Sequence, residues 1–523
     1  MSLGRSPDHE DLYRSTRAAC EARLSETSLF RLLARDGHRI FADEAFTDLF
    51  TDIGRRSIAP RIVAVVMVLQ RFHGMSDREA VDAFAFDMRW KYAAGALDYD
   101  HPGFVHTVLV DMRARLRASE KPDRIFEAVL EIAKQAGLVG RKRVLDSTAL
   151  YDAVATQDTV TMIRSSIRAL LQVADDVVEA ELRRVLERDD DYTRAGKPVC
   201  DWDDAAAREA LVDALARDAH AVMATLDART LGPNLREAAE LVATVVGQDL
   251  EQGDDGTFRI ARRVAPDRII STVDPEARHG HKTAARGFDG YKGHIALDPD
   301  SEIITATEVT SGNVGDAQPA AAMLKDVLET ARATPNQSTE IYGDSSYGTA
   351  SLVEHIEAAG AEANVKVQPP SPPKAGMFAQ DAFEVDTTAD TALCPAGRLV
   401  QIRRRKDGSG LAEFGPACRD CPMRHRCTTS KSGRALHVHP KHDTLTAARK
   451  RQRDPIWKQH YRSTRPKVER KLAHLMRRKH GGRRARMRGR DRIRSDFALL
   501  GAAINIHRLA ALGLRYADHG WGH

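Results

Sequence analysis

Aromatic residues are scarce in this chain, at 6% of 523 residues, while charged residues reach 29%. That combination suits a helix-rich protein with large solvated faces and excludes an aromatic-dense core. Disorder is excluded as well, because the apolar 42% recurs with helical and strand periodicity instead of being diluted. Cysteine is also sparse. Six in a chain of this length cannot make a disulfide scaffold. No run approaches the ~20 apolar residues needed to cross a bilayer. The opening stretch MSLGRSPDHEDLYRS has no apolar segment of leader type. The expectation is a soluble, cytoplasmic, nucleoid-associated protein of two to four units.

A large excess of one charge is missing too. The formal net charge is only +5, which hardly argues for a polyanionic partner. The distribution argues more strongly. Acids crowd the middle (Asp189 to Asp191, and Asp201, Asp203 and Asp204), whereas RRKHGGRRARMRGRDRIR (477–494) is dense in arginine. Clustering of this kind predicts a polyanion better than the total does.

Residues 28–130 read as helices. IVAVVMVLQRFHG (62–74) is an apolar helix stopping at Gly74, and Ser76 with Glu79 makes a capping box for the next helix. So short a Gly-containing turn resembles a helix-turn-helix, although an ordinary helical bundle has the same pattern. A third helix places Val105, Val108, Leu109, Met112 and Leu116 on one face. RKRVLDSTAL (141–150) then reads as a strand with Asp146 at its C-terminal edge.

Residues 160–250 return to helical spacing and read as an insertion, with Pro233 dividing a later hairpin. YKGHIALD (291–298) and EIITATEVT (302–310) form a strand pair around Pro299, Asp300 and Ser301, and Asn313 or Asp316 can cap the helix that follows. STEIYGD (338–344) is a strand ending in an acid; a helix near 352–359 and a strand near 364–367 follow. With the insertion set aside, the order is strand, strand, strand, helix, strand, helix, strand, as in ribonuclease-H-like folds. PPSPP (369–373) precedes a cysteine-bearing unit. Residues 447–480 read as one long helix despite Pro455 and Pro466, and FALLGAAINIHRLAALGL (497–514) as the last helix.

Asp146 and Asp344 share a setting: each ends a short apolar strand and precedes small hydroxyl residues (Ser147 and Thr148; Ser345 and Ser346). A third carboxylate, Glu469, follows Arg465 by one helical turn. Three converging carboxylates repel one another unless a cation neutralises them. Carboxylate oxygens suit Mg²⁺ or Mn²⁺. Two such ions about 3.5–4 Å apart can activate an attacking hydroxyl and stabilise a leaving one in phosphoryl transfer. Taken singly, any of these acids reads equally well as a turn former or helix cap. Glu413 and Asp454 are fallback third acids.

These residues resemble the DDE transposases of bacterial insertion sequences, over most of the chain. GMSDREAVDAFAFDMRWKYAAGAL (74–97) and HPGFVHTVLVDMRARL (101–116) are similar to the InsH-type N-terminal domain of that family. LDST around Asp146, DPEARHGHKTAARGFDGYKGHIALD (274–298), VTSGNVGDA (309–317) and YGDSSYGT (342–349) resemble segments of its catalytic core. Glu469 is similar to the third acid, with Arg465 where an arginine belongs. Tyr461 lies one residue further from Arg465 than usual, and Met476 replaces an expected lysine. The resemblance implies metal-dependent cleavage at element ends followed by attack of the freed 3′-hydroxyl on target DNA. It also implies terminal repeats and target duplex as partners, bound by a homodimer. Two other readings stay open: a non-enzymatic DNA-binding derivative, and a nuclease without a joining step.

Cys394, Cys418, Cys421 and Cys427 have the spacing of a structural Zn²⁺ site, with His425, His437 and His439 as substitutes and Cys20 and Cys200 as apolar fillers. Arg465, Lys292, Arg477, Arg478, Arg483 and Arg484 are the expected contacts to DNA phosphates. The resulting architecture is an α/β ribonuclease-H-like core, a mixed sheet flanked by helices, with three additions. Its expected parts are a helical N-terminal unit (1–135), the first core strand (136–155), a helical insertion (156–262), the rest of the core (263–370), a zinc-binding insertion (371–445) and a C-terminal segment (446–523).

Overall fold

A computed structural model describes residues 15–523 except 52, 53, 55, 154, 155, 228 and 284. The opening stretch read above for leader character lies almost wholly outside the described residues. The first unit is helical: α1 (Thr16–Glu21), α2 (Leu29–Ile40), α3 (Pro60–His73), α4 (Asp77–Phe86), α5 (Met88–Ala93), α6 (Thr107–Ala118) and α7 (Arg124–Gln135). Helix α3 is buried continuously from Ile62 to Phe72 and stops at Gly74, whose φ of 67° is easy only for glycine. The capping box is present, with Ser76 donating its backbone N–H to Glu79 Oε2 at 2.7 Å. Of the face expected on α6, Leu109, Met112 and Leu116 are buried, but Val105 precedes the helix and is exposed. The short α5 was not foreseen.

The central sheet contains β1 (Lys142–Tyr151), and the helical insertion follows it as α8 (Thr159–Val173), α9 (Asp176–Val185), α10 (Ala205–Asp227) and α11 (Pro233–Asp249). These helices close on their own core, in which Ile163, Ile167, Leu215, Val222 and Val242 are buried. A small hairpin, β2 (Leu250–Gln252) and β3 (Phe258–Ile260), leads back to the sheet. There β4 (Arg278–Thr283), β5 (Arg286–Leu297) and β6 (Ile304–Ser311) follow. Helices α12 (Ala320–Met323) and α13 (Lys325–Ala333) lead to β7 (Glu340–Gly343), α14 (Ala350–Ala358) and β8 (Glu362–Val365). The strands are ordered β4-β5-β1-β7-β8, with β6 also paired to β5. β5 runs antiparallel to β1, β4 and β6, while β7 is parallel to β1 and to β8.

Two expectations need correction here. Asp146 sits inside β1, because β5 carries the ladder on to Tyr151 after β7 has stopped pairing at Val144. Neither Asn313 nor Asp316 caps the following helix; Asn313 donates to Asp267 and Asp316 takes other partners. Strand β4 was not foreseen, since its run RHGHKT lacks an apolar face.

The strand period of two sorts side chains onto the two faces. Leu145 packs with α12, α13 and α14, whereas Val144 and Leu150 pack with the C-terminal helices and the N-terminal unit. One buried cluster runs from α2 and α3 through β1, β5 and β6.

The cysteine unit is built on a five-stranded sheet: β9 (Glu384–Asp386), β10 (Thr391–Leu393), β11 (Leu399–Arg404), β12 (Gly410–Glu413) and β13 (Ala435–Val438). After it come α15 (His442–Arg451), α16 (Pro455–Thr464) and α17 (Pro466–Leu475). The single long helix expected over 447–480 is thus broken. Proline has no N–H to donate to the preceding turn, and each proline here starts a new helix. Asp454 caps α16, accepting from the Ile456 N–H at 2.9 Å. Helix α18 (Arg490–Ala511) begins inside the arginine-rich segment. Its buried Asn505 accepts from Ile304 N at 2.9 Å and donates to Ile304 O at 2.8 Å, pinning the helix to β6. A hairpin of β14 (Arg515–Ala517) and β15 (Gly520–Gly522) ends the chain.

Candidate active site

The parallel register of β1 and β7 pairs Lys142 with Glu340 and Val144 with Tyr342. Two residues further on each chain stand Asp146 and Asp344, which places the two acids on neighbouring paths about 4.8 Å apart. Asp344 lies just past the end of β7 and accepts from the Ser346 N–H at 2.9 Å. Asp146 accepts from the Ser147 N–H at 2.9 Å.

The third acid arrives on α17. Because Pro466 restarts the helix, Arg465 stands at its entry, one turn before Glu469. Its guanidinium reaches all three acids: Asp146 Oδ1 at 3.1 Å, Asp344 Oδ2 at 3.6 Å and Glu469 Oε1 at 3.5 Å. Tyr461, on the preceding helix, donates to the Gly343 carbonyl at 3.2 Å and so ties α16 to the end of β7. Trp457 stacks on it at 4.8 Å.

Solvent separates the acids sharply. The side chain of Asp146 is 12% exposed, that of Asp344 40% and that of Glu469 64%. Burial therefore pushes the Asp146 carboxyl up to about 6, against the pull of Arg465 and of the Ser147 N–H. Arg465 is itself buried, and Asp146 and Asp344 hold its guanidinium above the ordinary range despite that burial.

Behind the acids lies a second polar layer that sequence reasoning missed. Asp316 accepts from the Ser147 hydroxyl at 2.6 Å and from Lys292 Nζ at 2.8 Å. Tyr347 is fully buried, and its hydroxyl has no hydrogen-bond partner among the described residues. Burial first, and then Asp316, Asp146 and Asp344, raise its phenol well above the usual range. The available signal was the acid following β6, which local reading assigned to a cap.

The remaining expected residues divide cleanly. Arg477, Arg478, Arg483 and Arg484 are exposed. The latter two are held beside the end of β1, where Tyr151 donates its N–H to Arg483 O at 2.9 Å and accepts from Ala485 N at 2.8 Å. Lys292 and Arg465, expected on phosphates, are instead turned inward onto carboxylates. The fallback acids stay outside the site: Glu413 pairs with Arg403 on the cysteine unit, and Asp454 is a helix cap.

Cys394, Cys418, Cys421 and Cys427 line one cavity of about 20 Å³, with Arg434 at its wall. The Arg398 N–H donates to Cys394 Sγ at 3.3 Å and the Arg434 N–H to Cys418 Sγ at 3.4 Å. Among the described residues, no group of three or more His, Cys, Asp or Glu is arranged to hold a metal ion. At the acidic centre, Arg465 supplies the positive charge.

Two family models match the chain. Residues 17–115 match the transposase domain (DUF772), and residues 393–510 match the transposase DDE domain. Both matches support an insertion-sequence DDE transposase. No curated protein and no solved structure matches it. The DDE match takes in Glu469, Arg465 and the four cysteines, while Asp146 and Asp344 lie outside both matched stretches. Among the described residues no helix is long and apolar enough to cross a membrane.

Proposed function

We propose that this transposase cuts DNA at the ends of its element in a metal-dependent reaction and joins the freed 3′-hydroxyl to target DNA. The observation that carries this reading is the meeting of Asp146, Asp344 and Glu469 around one guanidinium, from positions far apart in the chain. Within the six-stranded sheet, β1, β5 and β6 are antiparallel neighbours and β7 and β8 run parallel to β1, an order that supports a ribonuclease-H-like core.

The donor chemistry fits a hard divalent cation: three carboxylates, one of them desolvated, gathered about a single positive centre. Asp146, Asp344 and Glu469 would hold Mg²⁺ or Mn²⁺, which supplies activation of the attacking oxygen and stabilisation of the leaving one. Arg465 neutralises the acids, so it would have to give up Asp146 and Asp344 for those oxygens to hold an ion. A DNA phosphate is a suitable competing partner for its guanidinium. Lys292 and Asp316 brace Ser147, and through it the backbone beside Asp146. Arg477, Arg478, Arg483 and Arg484 form an exposed cationic margin that would hold the DNA backbone without reading sequence.

The cysteine unit is proposed to bind one structural Zn²⁺. Four thiols line one void, and two of their sulfurs accept backbone N–H groups, which leaves the four sulfurs grouped for one tetrahedral ion. A homodimer on DNA completes the reading.

The test is incubation of purified protein with DNA carrying the element's ends in Mg²⁺. Nicked ends together with joined target products are expected. Nicks without joining would leave a nuclease, and binding with neither product would leave a DNA-binding derivative.

A further inference from the structure

Helix α16 is unusual in its packing: none of its residues, from Pro455 to Thr464, is buried. Most helices in proteins are stabilised by burying an apolar face, and propensity alone supplies little. Yet α16 carries Ile456, 64% exposed, and the half-buried Trp457. Tyr461 packs against the central core, whereas Trp457 belongs to none of the described hydrophobic clusters. Its indole lies instead on the Tyr461 ring, with centroids 4.8 Å apart and planes 15° from parallel. Tryptophan normally brings one of the largest apolar areas to a core or an interface, and here no core receives it.

The helical repeat carries this stacked pair straight to the acids. Trp457, Tyr461 and Arg465 follow one another at four-residue spacing, and Arg465 keeps helical angles, so the three stand one turn apart in a single row. Tyr461 donates to the carbonyl of Gly343, the residue before Asp344, at 3.2 Å. Arg465 ends the row on Asp146, Asp344 and Glu469. Lys458 and Arg462 each follow one aromatic by a single position, and so flank the row. Both are exposed, and neither pairs with an acid among the described residues. Asp454, the one acid at this helix, is spent on the cap. An aromatic surface bordered by free cations is the combination that holds a nucleotide, the ring taking the base and the cations its phosphates.

We propose that Trp457 stacks on the last base pair of the DNA end that the acids produce, with Lys458 and Arg462 on the phosphates behind it. The proposal rests on the DNA-cutting reading above and names the strand end as what this row holds. In uncut duplex every base lies between two neighbours and offers no free face. Release of the flanking DNA strips the terminal base of one neighbour, and an indole beside the acids takes its place. The contact reads no sequence, because every base has a π-face. It keeps the freed 3′-hydroxyl at the acids for the joining step.

Two duplexes carrying the element's end test this with the full chain and no divalent ion, one terminating at the cut and one continuing past it. Wild type should bind the terminated duplex roughly tenfold more tightly, the scale of one base–aromatic stack. Trp457→Leu should lose that preference, and Trp457→Phe, which restores a ring, should keep part of it. Both variants should melt with wild type, because α16 buries no residue. Replacing Lys458 and Arg462 together by alanine should weaken both duplexes alike and flatten the salt dependence. Wild type without the preference, or Trp457→Leu that retains it, overturns the proposal. A lower melting temperature for Trp457→Leu overturns it as well, since the indole would then be a packing residue. Wild type that binds neither duplex overturns the DNA-cutting reading itself, so the two failures are distinguishable.

Discussion

Asp146→Asn should leave the protein more stable at neutral and alkaline pH while abolishing its chemistry. Burial holds the native Asp146 carboxyl at about 6, against an ordinary 3.8. The native state therefore keeps this proton over a range of pH in which the unfolded chain has lost it. The stability gained from that proton is complete below about 3.8 and is lost as pH rises through about 6. The difference of about 2.2 pH units, at 1.36 kcal/mol each, makes ionisation cost the native state about 3 kcal/mol above pH 6. The attraction of Arg465 is already contained in that shift, so it needs no separate addition. Asparagine removes the charge but packs imperfectly against the guanidinium, which leaves a net gain of about 1–3 kcal/mol. Thermal unfolding of wild type and variant from acid to alkaline pH measures this directly. The variant should melt a few degrees higher at about pH 8, with the gap closing towards about pH 4. A variant that melts lower at alkaline pH, or a gap that does not change with pH, would refute the claim that Asp146 is a desolvated charge.

Arg465→Gln should act in the opposite sense. Without the guanidinium, Asp146 keeps a buried charge with no cation beside it, so the metal-free protein should lose about 2–4 kcal/mol near pH 7. Millimolar Mg²⁺ should restore part of that loss in the variant and change wild type less, as seen in melting curves; equal Mg²⁺ responses would remove Arg465 from the site. Purified protein should contain about one zinc per chain by elemental analysis. Chelation should speed hydrogen exchange in β10 to β13, and a metal-free preparation with full protection there would contradict the zinc assignment.

The local chemistry of helix ends was legible in the sequence. Ser76 with Glu79, Gly74 and Pro233 start or stop helices as their local chemistry dictates, because caps and stops depend on a few adjacent residues. The order of the core strands other than β4 was legible for the same reason, apolar alternation being a local property. Pairing was not. Asp146 reads as a strand end because the apolar run stops there, but β5 continues the ladder from a distance of more than a hundred residues. The apolar spacing runs unbroken past Pro455 and Pro466, yet their missing N–H groups break one rod into three. That break matters, since it swings Arg465 inward onto the acids instead of outward to phosphates. Asp316 was illegible as a site residue because its place before a helix gives it a sufficient local explanation as a cap.

The most direct measurement of the central claim is cleavage of end-bearing DNA by wild type, Asp146→Asn, Asp344→Asn and Glu469→Gln in Mg²⁺, with DNA binding measured in parallel. Wild type should cut, and each variant should bind the same DNA while cutting at least a hundredfold more slowly, the scale of losing a group that acts only in the transition state. Any one variant that binds and cuts as wild type does would show that its carboxylate is not part of the reacting centre.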